Sequence, residues 1–291
     1  MNQKTIFALG FFDGVHLGHQ ALLKACKALA EKHSCRAGVV TFTAHPDALV
    51  LGKAPVLLTT TEDRKRLLQT YGAESVWELP FDKEIMTTHW ADFLTQLVES
   101  GAEGFVCGED FRFGAGGNGT AKKLAGFCES RNMPCSIVPE QVLDGGRISS
   151  TRIRELLEAG EVAAAKRLLG HSHILSGIVT KGKQLGKKLG FPTANLPIPD
   201  GVLIPKFGVY ATKVTVDDNT YAAVTNIGTR PTVNGQGVNA ECHLLDFAGD
   251  LYGKEITVAF CEFLRPEQKF DSLEELKAQI AADARKVGEM L

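Results

Sequence analysis

The chain has none of the features that mark several common classes of protein. Its seven cysteines are odd in number and include no Cys-x-x-Cys pair, so they favour neither a disulfide framework nor a zinc ribbon. No segment approaches the ~20 apolar residues of a membrane span, and no basic region with a long apolar stretch opens the sequence. A net charge of -2 provides no basic field for a nucleic-acid backbone. We therefore expect a cytoplasmic protein with reduced thiols and no nucleic-acid or membrane partner.

Internal repeats, low-complexity tracts and proline-rich linkers are also absent from the sequence. The phosphate-binding pattern Gly-x4-Gly-Lys-[Ser/Thr] is missing too, so a nucleotide bound by this chain needs a different phosphate cradle. What is present is the composition of a soluble globular protein, with 44% apolar and 23% charged residues. A length of 291 residues is sufficient for two domains.

The sequence pattern changes near residue 170, which predicts one domain over residues 1–170 and another over residues 171–291. In the first, short apolar runs alternate with helical patterns, which is typical of βαβ units and a parallel sheet covered on both faces. Ligands of such sheets bind beyond the carboxyl ends of the strands. The predicted strands are 5–9, 37–42, 75–79, 104–107 and 136–138, and the predicted helices between them lie near 61–71, 88–99 and 120–131.

The second domain is predicted to be an antiparallel β-barrel of about five or six strands. Asp217-Asp218-Asn219 predicts a hairpin turn between two of them, and Gly170 is expected to cap the helix that precedes the barrel. Ser272, with Glu275 three residues later, predicts a capping box at the start of a terminal helix. The predicted strands are 174–180, 209–216, 221–227, 241–247 and 255–264.

Residues 12–19 place two histidines, His16 and His19, between the first predicted strand and a helix. Unpaired N–H groups and a partial positive charge at a helix N-terminus favour a bound anion. A histidine pair can also be half of a zinc site, but no Cys or His cluster accompanies it to complete one. We favour a catalytic role, because the surrounding glycines permit a nucleotide to approach the backbone closely. The residues assigned to this phosphate-binding turn are Gly10, Phe12, Asp13 and Gly18, with Gly14 between them.

His16-Leu17-Gly18-His19 resembles the His-x-Gly-His signature of the nucleotidylyltransferase superfamily. That resemblance implies a Rossmann-like α/β domain and transfer of a nucleoside monophosphate from a triphosphate. Residues 148–154, Ile-Ser-Ser-Thr-Arg-Ile-Arg, look like the downstream element of the same superfamily. Taken alone, they could equally be a serine N-cap and a surface arginine.

The segment 182–195 looks like the nucleotide loop of riboflavin kinases, with a glycine- and lysine-rich turn followed by Phe-Pro-Thr-Ala-Asn. With the N-terminal motifs, nearly the whole chain resembles the bifunctional bacterial riboflavin kinase/FMN adenylyltransferases, also called FAD synthetases. The resemblance departs from the family at Ala44, where proline is frequent, and at Lys187, where arginine is frequent. Supporting matches lie at 41–42, 45–46, 108–114, 208–211, 228–232 and 241–247.

The resemblance implies two ATP-dependent reactions, phosphorylation of riboflavin to FMN in the barrel domain and adenylylation of FMN to FAD in the first domain. In the first domain, His16 and His19 would act at the α-phosphate of ATP, and Arg152 with Ser150 and Thr151 near the leaving pyrophosphate. Asp110 and Asp13 are weaker candidates, for flavin or adenosine contacts and for orienting the loop.

In the barrel domain, Thr193 and Asn195 offer the hard oxygen ligands that suit Mg²⁺ beside ATP phosphates. Glu241 is the family's kinase base by resemblance, although its position also fits an exposed strand carboxylate. The implied partners are riboflavin, FMN, FAD and ATP. The residues assigned to nucleotide binding here are Gly182, Lys187, Gly190 and Pro192.

Two other functions stay open at this stage. One is an adenylyltransferase of another substrate, such as nicotinamide mononucleotide or phosphopantetheine, with an unrelated β domain attached. The other is a flavin-binding regulatory protein in which one half is inactive.

Overall fold

The computed structural model of this chain describes residues 4–182, 186, 189–232 and 235–291. The chain divides into two compact units. The first comprises Met1–Leu57 and Arg64–Ser150, and the second comprises Leu58–Asp63 and Thr151–Leu291. Within the described residues, no helix combines the length and the apolar character needed to cross a bilayer.

The first unit contains a five-stranded parallel sheet with the strand order β3-β2-β1-β4-β7. All five strands that the sequence predicts are present, with ends that differ by no more than two residues. Its elements are β1 (Thr5–Leu9), α1 (Leu17–Lys32), β2 (Arg36–Phe42), α2 (Asp47–Val50), α3 (Thr61–Thr70), β3 (Ser75–Leu79), α4 (Lys83–Thr87), α5 (Trp90–Glu99), β4 (Ala102–Gly108), β5 (Arg112–Phe113), β6 (Gly119–Thr120), α6 (Ala121–Glu129), β7 (Cys135–Val138), β8 (Val142–Leu143) and β9 (Gly146–Arg147).

Strand β1 forms the centre of this sheet because its side chains are buried on both faces. Phe7 and Leu9 pack in one core with residues of α5 and α6, and Ile6 and Ala8 pack in the other with residues of α1. The chain adds β2 and β3 on one side of β1 and then β4 and β7 on the other. The carboxyl ends of β1 and β4 therefore form the switch point at which open α/β sheets bind ligands.

The second unit contains a six-stranded antiparallel sheet in the order β10-β15-β12-β13-β14-β11. A bridge between Thr180 and Asn195 brings the two edges of this sheet together, so the barrel is nearly closed, as predicted. Its elements are α7 (Ser150–Ala159), α8 (Val162–Leu169), β10 (Ile174–Ile178), β11 (Ala194–Pro197), β12 (Gly208–Val216), β13 (Asn219–Thr232), β14 (Gly235–Leu244), β15 (Glu255–Arg265) and the C-terminal helix (Leu273–Met290).

Three local features that the sequence predicts for the barrel unit are present: a hairpin turn, a glycine helix cap and a serine N-cap. Asp217 and Asp218 adopt φ angles of 47° and 64°, which the twist of a two-residue hairpin turn requires. Gly170 ends α8 in the left-handed conformation with φ 77°. The Ser272 hydroxyl accepts a hydrogen bond from the Glu275 N–H at 3.2 Å. The Glu275 carboxylate accepts from the N–H of Asp271 instead of that of Ser272, so the predicted capping box is displaced by one residue.

Two predicted barrel strands end before the residue that the sequence pattern indicates, although β14 also begins earlier than predicted, at Gly235. Strand β14 stops at Leu244, because Asp246 turns the chain with a φ of 55°. Strand β10 stops at Ile178, because the chain then leaves its partner strand and Thr180 donates its N–H to Asn195. Strand β11 was not predicted, since its first two residues were assigned to the nucleotide loop.

Candidate active sites

The turn between β1 and α1 has an unusual backbone. Gly14 adopts φ 76°, and the non-glycine residues Phe12 and Val15 adopt φ 62° and 41°. A β-branched residue is a steric outlier at positive φ, and such strain is concentrated at functional sites. The turn delivers His16 to the N-cap position of α1, at the positive end of a 16-residue helix.

His16 and His19 form one stacked pair at this helix start. Their ring centroids are 3.6 Å apart with an interplanar angle of 13°. The Nδ1 atom of His16 accepts a hydrogen bond from the backbone N–H of His19 at 3.3 Å, which fixes the His16 ring. A Cβ atom on Gly18 would lie 3.1 Å from two atoms of that ring. Gly18 therefore makes room for the histidine, in addition to its proposed closeness to a nucleotide.

His19 is held in its neutral form. Burial lowers its pKa well below the usual histidine range, and the nearby His16 and Arg64 lower it further. Its Nδ1 atom is buried and makes no hydrogen bond with any residue that the structure describes. The Phe12 and His19 rings pack in a T-shaped arrangement with centroids 5.2 Å apart. At neutral pH such a histidine offers one N–H donor without a charge.

A cavity of about 280 Å³ opens at the switch point of the sheet and contains both histidines. Ser149 and Ser150, from the second sequence motif, lie in the same wall. The Ser150 hydroxyl donates a hydrogen bond to the carbonyl of Asp13 at 3.0 Å and so connects the two motifs. The lining residues are Leu9, Gly10, Phe11, His16, Gly18, His19, Leu22, Gly108, Glu109, Asp110, Phe111, Val138, Pro139, Glu140, Gln141, Arg147, Ile148, Ser149 and Ser150.

One side of this cavity carries a network of charged residues. The guanidinium of Arg147 binds the carboxylate of Asp110, and its Nε lies 2.9 Å from Oε1 of Glu140. The backbone N–H of Glu140 donates to the carboxylate of Glu109 at 2.8 Å. The loops after β4 and β7 are thus joined beside the histidine pair.

In the second unit, Glu241 lies on β14 between Asn195 of β11 and Asn226 of β13. It lines a cavity of about 380 Å³ whose other walls are largely apolar. The lining residues are Gly186, Leu189, Phe191, Thr193, Val209, Val224, Asn226, Glu241, His243, Arg265, Glu267, Gln268, Phe270, Leu276, Ile280 and Asp283.

A further cavity of about 360 Å³ lies beside the first in the barrel, and Thr193 belongs to both. The two cavities of the barrel are therefore neighbours at Thr193. The residues that line this second barrel cavity are Val179, Pro192, Thr193, Ala194, Cys242, Leu244, Phe247, Ala248, Gly249, Asp250, Leu251 and Tyr252.

Comparison with known proteins assigns both units. The FAD synthetase family model matches residues 1–152, and the riboflavin kinase family model matches residues 169–291. The bifunctional riboflavin kinase/FMN adenylyltransferase of Listeria monocytogenes is 36% identical over 282 residues, which cover 96% of this chain and 90% of that protein. This chain belongs to the bifunctional riboflavin kinase/FMN adenylyltransferase family. The family member from Escherichia coli K12 is 38% identical over the same shares of both chains.

A solved structure extends the comparison to the fold. A Streptococcus pneumoniae crystal structure described as a macrolide-efflux protein matches this chain with a TM-score of 0.88 and 30% sequence identity. The match covers 98% of this chain and 94% of that one. It therefore includes both the parallel-sheet unit and the barrel unit.

Several residues predicted from the family resemblance are not in the cavity of the first unit. Gly10, Gly18 and Asp110 line it, whereas Phe12 and Asp13 are buried within the turn. Thr151 and Arg152 follow Ser150 in the first turn of α7 and are not among the lining residues. Their assignment to the pyrophosphate stays a prediction.

Only one of the two predicted metal ligands of the barrel lines a cavity. Thr193 lines both cavities, but Asn195 lines neither and is buried. The Asn195 side-chain oxygen accepts a hydrogen bond from Asn239 at 3.3 Å, and a Cβ atom on Gly182 would lie 2.4 Å from its Nδ2. Gly190 has a φ of 88°, which glycine adopts without strain. Pro192 lines the second barrel cavity, and Lys187 lies outside the described residues.

Other lining residues of this family member were missed by the sequence analysis. Arg147 immediately precedes the 148–154 motif, and His243 is two residues from Glu241 on one strand, so both positions carried a usable signal. Arg265 and Asp283 were not detectable in this way, because they meet across the sequence. Nη2 of Arg265 lies 2.8 Å from Oδ2 of Asp283, and this ion pair joins β15 to the C-terminal helix.

Proposed function

We propose that each reaction of this bifunctional enzyme has its own site in the chain. Riboflavin is phosphorylated at the Glu241 cavity, and FMN is adenylylated at the cavity that contains His16 and His19. The observation that carries this proposal is the presence of a carboxylate cavity in one unit and a helix N-terminal histidine cavity in the other. We assign residues 1–170 to the adenylyltransferase domain and residues 171–291 to the kinase domain.

Glu241 is proposed as the general base of the kinase reaction. The largely apolar walls of its cavity suit a flavin ring, while the carboxylate and the His243 imidazole supply polar groups. Glu241 takes the proton from the terminal hydroxyl of the ribityl chain as that oxygen attacks the γ-phosphorus of ATP. The bond between the γ-phosphorus and the bridging oxygen breaks, and ADP leaves.

The second barrel cavity is proposed to bind ATP, because Thr193 connects it to the Glu241 cavity. The oxygen donors of Thr193 and Asn195 fit the preference of Mg²⁺ for hard ligands. When bound there, Mg²⁺ would neutralise charge on the phosphates of ATP. Gly182, Lys187, Gly190 and Pro192 complete the proposed nucleotide loop.

In the adenylyltransferase reaction, a phosphate oxygen of FMN attacks the α-phosphorus of ATP, and pyrophosphate leaves. A phosphate monoester is an anion at neutral pH, so the attacking group needs no strong base. Alignment and stabilisation of charge on the α-phosphoryl oxygens are the main requirements. His16, neutral His19 and the N-terminus of α1 supply donors for this purpose. Ser150, Thr151 and Arg152 are proposed to bind the pyrophosphate portion.

We also propose that the enzyme acts in the cytoplasm. All seven of its cysteines are free thiols in the structure, which is typical of proteins in a reducing compartment.

A time course with riboflavin, ATP and Mg²⁺, followed by chromatography, tests the proposed function. FMN should appear first and FAD later, and FAD should also form when FMN is supplied without riboflavin. Addition of a chelator before ATP should stop FMN formation, and restored Mg²⁺ should recover it. Absence of FMN from riboflavin would refute the kinase assignment, and absence of FAD from FMN would refute the adenylyltransferase assignment.

A further inference from the structure

Arg64 is a buried cation close to the histidine cavity, and neither sequence motif includes it. Arg64 is only 1% exposed, although arginine is rarely buried in proteins. The Nη2 atom donates a hydrogen bond at 2.7 Å to the carbonyl of Phe42, the last residue of β2. The guanidinium carbon lies 4.3 Å from the centroid of the Phe11 ring, which lines the cavity. Arg64 thus binds the carboxyl ends of both β1 and β2.

The hydrogen bonding of Arg64 is incomplete. Its Nε and Nη1 atoms are buried and make no hydrogen bond within the described part of the chain. A buried cation with unsatisfied donors destabilises a protein, and native structures contain few such groups. Burial lowers the Arg64 pKa, while Asp13 and Glu78 act in the opposite direction. Two unsatisfied donor nitrogens are a cost of folding that an apolar residue at this position would not incur.

The charges around Arg64 connect it to the reacting end of the cavity. Two carboxylates act on the charge of Arg64: Asp13 in the turn that carries His16, and Glu78 on β3. Oε2 of Glu78 also lies 3.8 Å from Nζ of Lys65. Burial contributes most to the lowered pKa of His19, followed by His16 and then by the positive charge of Arg64. A fixed cation therefore acts on a histidine that lines the proposed adenylylation cavity.

We propose that Arg64 is a positioning residue of the adenylyltransferase site, which clamps the ends of β1 and β2 and maintains a fixed positive charge behind the histidine pair. This inference rests on the proposed assignment of FMN adenylylation to that cavity. Negative charge develops on the α-phosphoryl oxygens in the transition state, and a preorganised cation stabilises it with no reorganisation during the reaction. The same charge adds to the effects of burial and of His16, which favour the neutral form of His19, and the Phe11 contact holds one wall of the cavity.

The test compares Arg64→Met, which removes the charge, with Arg64→Lys, which keeps the charge but not the planar fork. Arg66→Met is the matched control, because Arg66 is exposed on the same helix. For each full-length variant, kcat and KM are measured for FMN adenylylation and for riboflavin phosphorylation. The pKa of His19 is measured by NMR with ¹³C-labelled histidine. The signal that is missing from the His19→Ala spectrum identifies His19.

For Arg64→Met we expect kcat for FMN adenylylation to fall roughly 10- to 100-fold, less than for direct loss of a transition-state donor. KM for ATP should change little, the His19 pKa should rise, and riboflavin phosphorylation should be unaffected. Arg64→Lys should keep the low His19 pKa but lose several-fold in kcat. Arg66→Met should match the wild type in all measurements.

A wild-type adenylylation kcat in Arg64→Met, or an unchanged His19 pKa, would overturn the proposal. If Arg64→Met fails to fold, Arg64→Lys decides: wild-type kcat there refutes the clamp, and a selective loss of adenylylation supports it. The His19→Ala variant distinguishes a wrong role for Arg64 from a wrong assignment of adenylylation to this cavity. If His19→Ala still forms FAD, the assignment of the cavity is wrong; if it does not and both Arg64 variants remain fully active, only the role of Arg64 is wrong.

Discussion

The two units use the same co-substrate but face different chemical problems. In the barrel the proposed nucleophile is an alcohol, which must lose a proton, and the cavity contains Glu241. In the parallel-sheet unit the proposed nucleophile is a phosphate that is already charged, and the cavity contains a histidine pair at a helix N-terminus, of which His19 is neutral. Removal of a proton is therefore the main requirement at the proposed kinase site, and preorganised hydrogen-bond donors are the main requirement at the proposed adenylyltransferase site.

The largest effect is expected from Glu241→Gln, which keeps the shape of the side chain but cannot accept the proton. Riboflavin phosphorylation should fall on the order of 10³-fold, within the usual range for loss of a general base. FAD formation from supplied FMN should continue at the wild-type rate. Initial rates of both reactions on one preparation check this, with Glu255→Gln, an exposed carboxylate on β15, as the control. Retained phosphorylation would remove Glu241 from its proposed role.

A slightly smaller and opposite pattern is expected from His19→Ala. Loss of one donor to developing charge typically costs about 10² to 10³ in rate. FMN should therefore accumulate from riboflavin while FAD formation nearly stops. His33→Ala is the matched control, because His33 is exposed at the other end of the same helix. Equal loss of both products would contradict the separation of the two sites.

The ion pair between Arg265 and Asp283 tests whether the kinase cavity depends on a cross-sequence contact. Both side chains are mostly buried, at 18% and 7% exposed. Removal of one partner leaves a buried charge, so Asp283→Ala should lower the free energy of unfolding of the barrel unit by roughly 2–4 kcal/mol. The double variant Asp283→Ala with Arg265→Met should lose less than the sum of the single variants. Urea unfolding and the KM for riboflavin measure these effects; additive losses would show that the pair is not coupled.

Prediction of these sites from the sequence succeeds where the residues involved lie close together along the chain. The histidine turn is local: one strand, three glycines and a helix start specify it, and the structure agrees. Arg64 and the Arg265–Asp283 pair are assembled from separate segments, and no periodicity relates them. A buried arginine or aspartate also contradicts the ordinary pattern of a helix, which predicts solvent exposure for a charge. Asn195 shows the reverse case, because a polar residue in a predicted binding motif is buried beside Gly182, and its role as a metal ligand stays a prediction.

The smallest expected effect concerns His173, which is more deeply buried than His19 and lines none of the cavities described above. His173 in the barrel unit is 2% exposed, and its Nε2 makes no hydrogen bond with any described residue. Burial, with a contribution from His171, lowers the pKa of His173 to about 3. The unfolded chain therefore binds a proton near pH 6.5 that the folded barrel does not. Stability is complete above pH 6.5 and falls as the pH decreases toward 3, by about 1.4 kcal/mol per pH unit.

Urea unfolding of the barrel unit between pH 6.5 and 5.5 measures this slope before most carboxylates titrate. His173→Leu should flatten it, because the side chain no longer takes up a proton on unfolding, whereas His33→Ala should leave it unchanged. The change in slope is informative even if His173→Leu alters the stability at neutral pH. An equal slope in wild type and His173→Leu would mean that His173 is protonated in the folded barrel. If the slope flattens, the two neutral histidines differ in consequence: neutrality of His19 serves the proposed reaction, and neutrality of His173 is a cost of packing that appears only in acid.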